Sequence, residues 1–255
     1  MSQTPDTPPL SEDPAAPEAG RVPVSLLPGG DEHRNFYGRR HGKTLRPTQI
    51  QHLSEDLPRL TLQGIDRMQN PSREKLDLAA VFGDKPVWLE TGFGGGEHLD
   101  HLARQHLDIG FIGCEAFLNG TAMLLNKLHE NDPGNIALHP GDVRDLLDVL
   151  PDQSLARCYL LYPDPWHKAR HHRRRFVTPE HLLPLARVMQ PGAELRIATD
   201  IPDYVRQTLE EVPPAGFELV YHSGTPWEGW FSTRYEKKAL REGRVPDYLI
   251  FRRSA

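Results

Sequence analysis

Two cysteines in 255 residues, Cys114 and Cys158, each inside an apolar run, are too few for a disulfide framework or a structural zinc site and read as reduced core residues. No apolar run approaches the ~18 residues of a membrane span, and the start of the chain lacks the charged and apolar regions of a signal peptide, so the sequence predicts a cytoplasmic protein without membrane contact. Lys and Arg are absent from residues 1–20, which carry Asp6, Glu12, Asp13 and Glu18 among repeated Pro and Ala; that composition cannot bury enough surface to order itself. Removing those four acids from a formal net charge of −5 leaves −1, so the body is near neutral and its cations matter only where they cluster. A G-x-x-x-x-G-K-[ST] loop is also missing, which excludes a P-loop.

What is present is alternation. From Pro86 onward, short apolar runs alternate with helix-length amphipathic segments, the pattern of βαβ units in a doubly wound α/β fold. The candidate strands are 86–90, 109–114, 134–138, 157–162 and 193–198, with 216–222 and 247–252 completing the sheet. Helices are expected near 95–106, 119–130, 143–149, 178–189 and 202–211. Thr178 before Pro179 reads as an N-cap followed by an N1 proline. Hydrophobic content of 38% supports one core, and nothing demands two.

In such sheets ligands bind beyond the carboxyl ends of the strands. The first strand ends in Glu90-Thr91-Gly92-Phe93-Gly94-Gly95-Gly96-Glu97-His98. A dinucleotide fingerprint, G-x-G-x-x-G, is met at Gly92 and Gly94, but Glu97 stands where the third glycine belongs. The second strand ends in Glu115, about 20 residues on, where an acid bonds ribose hydroxyls in both nicotinamide and methyl-donor sites. The third runs into His139-Pro140-Gly141-Asp142, and Asp142 reads equally as a helix N-cap and as a cofactor contact. The fourth delivers Tyr162-Pro163-Asp164-Pro165-Trp166, an acid fixed between two prolines. It opens onto Lys168, Arg170, Arg173, Arg174 and Arg175, the densest positive charge in the chain and a sign of a polyanionic partner. A second cationic stretch, Arg34 to Lys43, interleaves Phe36 and Tyr37 with Arg39 and Arg40. His98 and His101 lack a third ligand in matching context, so no metal site is predicted. Trp227 and Trp230 read as loop anchors, and Leu124, Leu125 and Leu128 as helix core.

The E-x-G-x-G-x-G run resembles the first motif of Rossmann-like S-adenosylmethionine-dependent methyltransferases. The run Pro163 to Arg175, with Phe176-Val177-Thr178-Pro179, Ala198-Thr199-Asp200 and Thr233-Arg234-Tyr235-Glu236, is similar to the hallmark of bacterial tRNA (guanine-N7-)-methyltransferases across Arg34 to Arg253. That resemblance implies a class I fold with a seven-stranded, mostly parallel sheet and helices on both faces. It implies S-adenosyl-L-methionine held by Glu90, Gly92, Gly94, Glu115, the third-strand acid at Asp142, and Asp164, which is also the catalytic-site residue. It implies guanosine or tRNA contacts from Lys168, Asp200, Thr233, Arg234, Tyr235 and Glu236, with RNA backbone contacts from Arg170, Arg173, Arg174 and Arg175. The partner implied is tRNA, methylated at a variable-loop guanosine, with no obligatory protein partner.

These readings divide the chain into an acidic tail at 1–30, a basic arm and helix at 31–70, and a methyltransferase domain at 71–255. Two other function classes stand beside the leading one. An NAD(P)-dependent oxidoreductase is disfavoured by Glu97. A non-catalytic RNA-binding module is disfavoured by Glu90, Glu115 and Asp164 together, since a pure binder needs no acid at each strand end.

Overall fold

The computed structural model describes residues 36–255, and the tail read at 1–30 and Arg34 lie outside that range. An arm without regular secondary structure leads to Pro47, whose fixed φ suits the first turn of helix α1 (Pro47–Glu55), and Gln49 reaches back to accept from the amide of Arg46 at 3.0 Å. Short helices α2 (Leu57–Leu60) and α3 (Leu78–Phe82) follow, the latter capped by Asp77 accepting from the Ala80 amide at 3.1 Å.

Strand and helix then alternate: β1 (Val87–Thr91), α4 (Glu97–Gln105), β2 (Gly110–Cys114), α5 (Leu118–Leu128), β3 (Ile136–His139), α6 (Val143–Val149) and β4 (Leu155–Leu161). A 3-10 segment, Ala169–Arg174, leads to α7 (Pro179–Val188), β5 (Met189–Thr199), α8 (Pro202–Glu211), β6 (Phe217–Ser223), α9 (Arg234–Arg241) and β7 (Asp247–Arg253). All seven expected strands form, and the five expected helices are α4 to α8. The helix expected in the arm is α1, and among the described residues three helices went unread, the four-residue α2 among them. α3 is a single turn, and α9 buries only Glu236 and Ala239, leaving almost no apolar period to detect.

The sheet order is β3-β2-β1-β4-β5-β7-β6, parallel except where β7 runs antiparallel to β5 and to β6. Both faces are covered, and the pleat shows it. Cys158 and Leu160 of β4 join one core with residues of α3, α6, α7 and α8, while Tyr159 and Leu161 join another with residues of α1, α2, α4 and α5. Every residue of β2 is buried, which is why its sequence reads as an unbroken run rather than an alternation. Strand order reverses between β1 and β4, so their carboxyl ends diverge into the crevice where doubly wound sheets bind ligands. Among the described residues no helix is long and apolar enough to cross a membrane.

Candidate active site

The loop from β1 to α4 turns on glycines with φ of 70° at Gly92, 57° at Gly94 and 70° at Gly96, values that L side chains rarely adopt. A Cβ at Gly92 would meet nothing within 4 Å, so open space lies above that residue. The loop is clamped from α5: at Gly120 a Cβ would fall 2.2 Å from the Gly94 carbonyl oxygen, and Lys127 donates to the Gly95 carbonyl at 2.8 Å. Burial lowers the Lys127 pKa, while Glu97 opposes the shift.

Glu115, at the end of β2, joins this cradle. One carboxylate oxygen accepts from the Gly94 amide at 2.7 Å and the other from the Phe117 amide at 2.8 Å, leaving a lone pair on each. Desolvation pushes its pKa up to about 7 against those two bonds, and the nearby charge of Asp164 adds to the rise. Glu90, buried at the end of β1, pairs at 2.7 Å with Nδ1 of His98, whose ring packs against Tyr159 and Trp230. Asp142 caps α6 through the Arg144 amide at 2.9 Å, and both its oxygens also receive the Arg144 guanidinium. That pairing holds its carboxyl below the usual range despite burial, and any adenine-side contact from Asp142 competes with Arg144. A glycine loop that opens to space at Gly92, with carboxylate acceptors at the ends of adjacent strands, fits a ligand that carries ribose hydroxyls and an amino group.

Beyond β4 the backbone is held in an unusual shape, with positive φ at Tyr162 (50°) and Trp166 (43°) bracketing Pro163, Asp164 and Pro165. The Tyr162 amide donates to the Ala198 carbonyl at 2.7 Å, tying the turn to β5. Asp164 reaches the surface, yet crowding around its carboxyl raises its pKa; the charge of Arg39, brought in by the arm, works the other way. The arm is fixed on α5 by the Leu118 amide donating to Arg40 O, by the Gly42 amide donating to the Asn119 side chain, and by Asn119 donating to Lys43 O.

The basic tract divides into two kinds of residue. Lys168, Arg170 and Arg173 are exposed. Arg175 is 1% exposed: its guanidinium donates to the carbonyls of Pro165 (2.9 Å) and Asp203 (3.2 Å) and to the Gln207 side chain (2.9 Å), and pairs with the Asp203 carboxylate at 2.9 Å. The expectation that Arg175 contacts RNA backbone is therefore corrected. It is an internal strut between the acidic turn and α8, with no face left for a phosphate. Arg174 lies between the rings of Tyr37 and Trp166, at 4.5 and 5.0 Å from their centroids, joining arm to turn. Arg175→Met is expected to cost about 2 kcal/mol of stability, because it strands a buried carboxamide and two carbonyls. Chemical denaturation checks this, and a loss of RNA affinity with unchanged stability would restore the sequence reading.

The segment read as substrate-binding at 233–236 is also split. Thr233 is buried and caps α9 by accepting from the Glu236 amide at 3.1 Å, and Glu236 is buried, taking the Trp230 indole N–H at 2.9 Å and the Tyr248 hydroxyl. These two hold the loop and helix in place, and neither is open to a nucleotide. The T-x-x-E spacing is itself a helix-start signal, and it would have revealed α9. Arg234 and Tyr235 project over the glycine loop instead. Arg234 pairs with Glu97 at 3.1 Å, and Tyr235, 48% exposed, overlies Gly94 within electrostatic reach of both Glu115 and Asp164. Asp200 is bound by Arg244, a partner that no sequence pattern marked. Trp227 and Trp230 pack edge to face on Tyr248, as anchors do. His101 stacks on Phe231 at 4.0 Å, and His98 is engaged by Glu90.

A family described as "Putative methyltransferase" matches residues 84–246. A tRNA (guanine-N(7)-)-methyltransferase of Cereibacter sphaeroides is 65% identical over 224 residues, covering 88% of this chain and 93% of the relative. One of Paracoccus denitrificans is 65% identical over 221 residues, covering 86% and 95%. Among solved structures, the 16S rRNA methyltransferase KamB superposes with a TM-score of 0.53 at 19% identity, over 71% of this chain and 95% of that one.

Proposed function

The chain belongs to the tRNA (guanine-N(7)-)-methyltransferase family, and from that premise we propose that it moves the methyl group of S-adenosyl-L-methionine to N7 of a variable-loop guanosine in tRNA. The observation that carries this reading is the convergence of Glu115, Asp164 and Tyr235 beside the glycine loop, with exposed Lys168, Arg170 and Arg173 following the same turn.

Bound on the loop, the donor would supply an electrophilic methyl on a sulfonium centre. Glu115 holds the ribose hydroxyls through its two spare lone pairs, and Glu90, oriented by His98, offers a negative charge at the end of β1. Guanine N7 carries an in-plane lone pair, so it attacks without first losing a proton and no strong general base is needed. The protein's part is placement. Asp164 accepts from the N1–H and N2–H edge of guanine, which selects this base over adenine and offsets the positive charge arriving on the ring. Arg39, whose positive charge acts on Asp164, yields that carboxylate to the base. A cytoplasmic location accords with this substrate. An oxidoreductase reading has no support at Glu97, which opens α4 and pairs with Arg234.

The test is methyl transfer from labelled S-adenosylmethionine to unmodified tRNA transcripts, followed by borohydride and aniline cleavage at N7-methylguanosine. A single cut in the variable loop is expected. Label without a cut refutes N7, and no label refutes the transferase reading. RNA affinity is expected to fall with salt, with Arg170→Ala and Arg173→Ala each lowering the log–log slope by about 0.7–0.9 at unchanged stability. Filter binding across a salt series measures it, and a slope equal to that of the parent protein would remove the tract from the RNA interface.

A further inference from the structure

Away from the strand ends, α1 and α5 bring three metal-ligating side chains together. His52 and Asp56 stand i, i+4 at the end of α1, where Asp56 is still helical, so they share a face; His129 directly follows α5. One ligand atom from each lies within 4.8 Å of the others. Nδ1 of His129 is 2.8 Å from Asp56 Oδ2, Nδ1 of His52 is 2.7 Å from Asn126 Oδ1, and the two rings stack at 4.0 Å and 19°. An amide oxygen only accepts, so the His52 proton sits on Nδ1 and its Nε2 lone pair is free for a ligand. Arg59 bonds Asp132 at 2.7 Å and makes a longer ion pair, 3.6 Å, with Asp56 Oδ1, so the oxygen that faces His129, Oδ2, is not the one Arg59 reaches.

We propose that His52, Asp56 and His129 form a binding site for a borderline divalent cation, Zn²⁺, Co²⁺ or Ni²⁺, that fastens α1 to α5. Two imidazoles and a carboxylate are the donor set such ions select, with water completing the coordination. Ligands at about 2.0–2.1 Å from a tetrahedral ion lie roughly 3.3 Å apart, so the rings must splay from their stack as the ion enters. His129 is exposed and the other two are half-buried, so side-chain torsions suffice for that movement. The site has a consequence for the reaction centre. The helix it fastens is continuous with the arm that carries Tyr37 to Arg174 and Arg39 toward Asp164, so occupancy steadies that wall.

Calorimetric titration of the full chain with ZnCl₂ at neutral pH, repeated with CoCl₂ to read the visible bands of the bound ion, tests the proposal. One ion per chain is expected, with a rise in melting temperature, and the His52→Ala/His129→Ala double variant should bind at least about tenfold more weakly. Long-range ¹H–¹⁵N spectra of the unaltered protein provide a check that needs no variant: the ring resonances of His52 and His129 should shift first. The proposal is overturned if no ion binds, if the double variant's isotherm superposes on the parent's, or if the shifts fall only on His167, His171 and His172.

Discussion

Asp164→Asn is expected to lower kcat/KM for tRNA methylation by roughly 10²–10³, the cost of removing one preorganised acceptor from a site where charge develops. The substitution keeps volume and the two flanking prolines, so the turn between Tyr162 and Trp166, pinned at Pro165 by Arg175, should stay in place. What changes is the hydrogen-bonding edge. A carboxylate can accept from both N–H groups of guanine, whereas a carboxamide presents one acceptor and one donor, and that donor faces another donor. Selectivity for guanine over adenine should fall along with the rate. Because crowding raises the Asp164 pKa above the usual carboxylate range, the parent enzyme should also lose kcat/KM on acidification at a higher pH than an ordinary aspartate would dictate. The variant should lack that limb. Steady-state kinetics in each substrate decide the role: a variant that raises only the KM for S-adenosylmethionine would make Asp164 a donor-site residue and end its assignment to the base.

The sheet and five of its helices were legible because burial on both faces writes itself as continuous apolar runs, as in Gly110–Cys114, separated by amphipathic segments. The acidic turn was legible because two prolines and a carboxylate are chemically conspicuous. Direction was not legible. Within Lys168 to Arg175 every cation looks alike, yet the 3-10 turn over Ala169–Arg174 leaves Arg173 in solvent and drives Arg175 inward, a difference of two residues that composition cannot carry. The same holds for Thr233 to Glu236, where helix periodicity puts Thr233 and Glu236 on the buried face and Arg234 and Tyr235 on the other. A run of residues assigned as one contact surface is thus divided by the geometry of its own helix. Long-range partners left no local trace at all: Arg244 on Asp200 and Arg39 near Asp164 are separated widely in sequence and meet only because the fold returns them to the strand ends.

Glu115 sets the second large effect, and its sign follows from the direction of its shift. Its folded-state pKa of about 7 lies above the 4.5 of a free glutamate, so between those values the folded protein holds a proton that the unfolded chain has released. Stability contributed by this group is fully present below 4.5 and is lost as pH rises through 7. At about 1.4 kcal/mol per unit, the loss is at most about 3–4 kcal/mol, and it should appear as the melting curve of the parent falling relative to that of Glu115→Gln from pH 5 to pH 8. Donor binding runs the opposite way. Ribose hydroxyls donate to the ionised carboxylate, so affinity for S-adenosylmethionine should weaken as pH drops below about 7, approaching tenfold per unit. Glu115→Gln should bind the donor weakly, by roughly a hundredfold, at every pH, since its amide nitrogen then faces either the Gly94 or the Phe117 N–H. Equilibrium dialysis of the donor across the same pH range separates the two effects. If affinity in the parent is flat through neutrality, Glu115 does not hold the ribose, and its raised pKa belongs to the glycine loop's architecture alone. If affinity and stability cross as described, the ionised acid that strains the empty fold is the one the donor requires, and the binding energy is spent in part on keeping that charge buried.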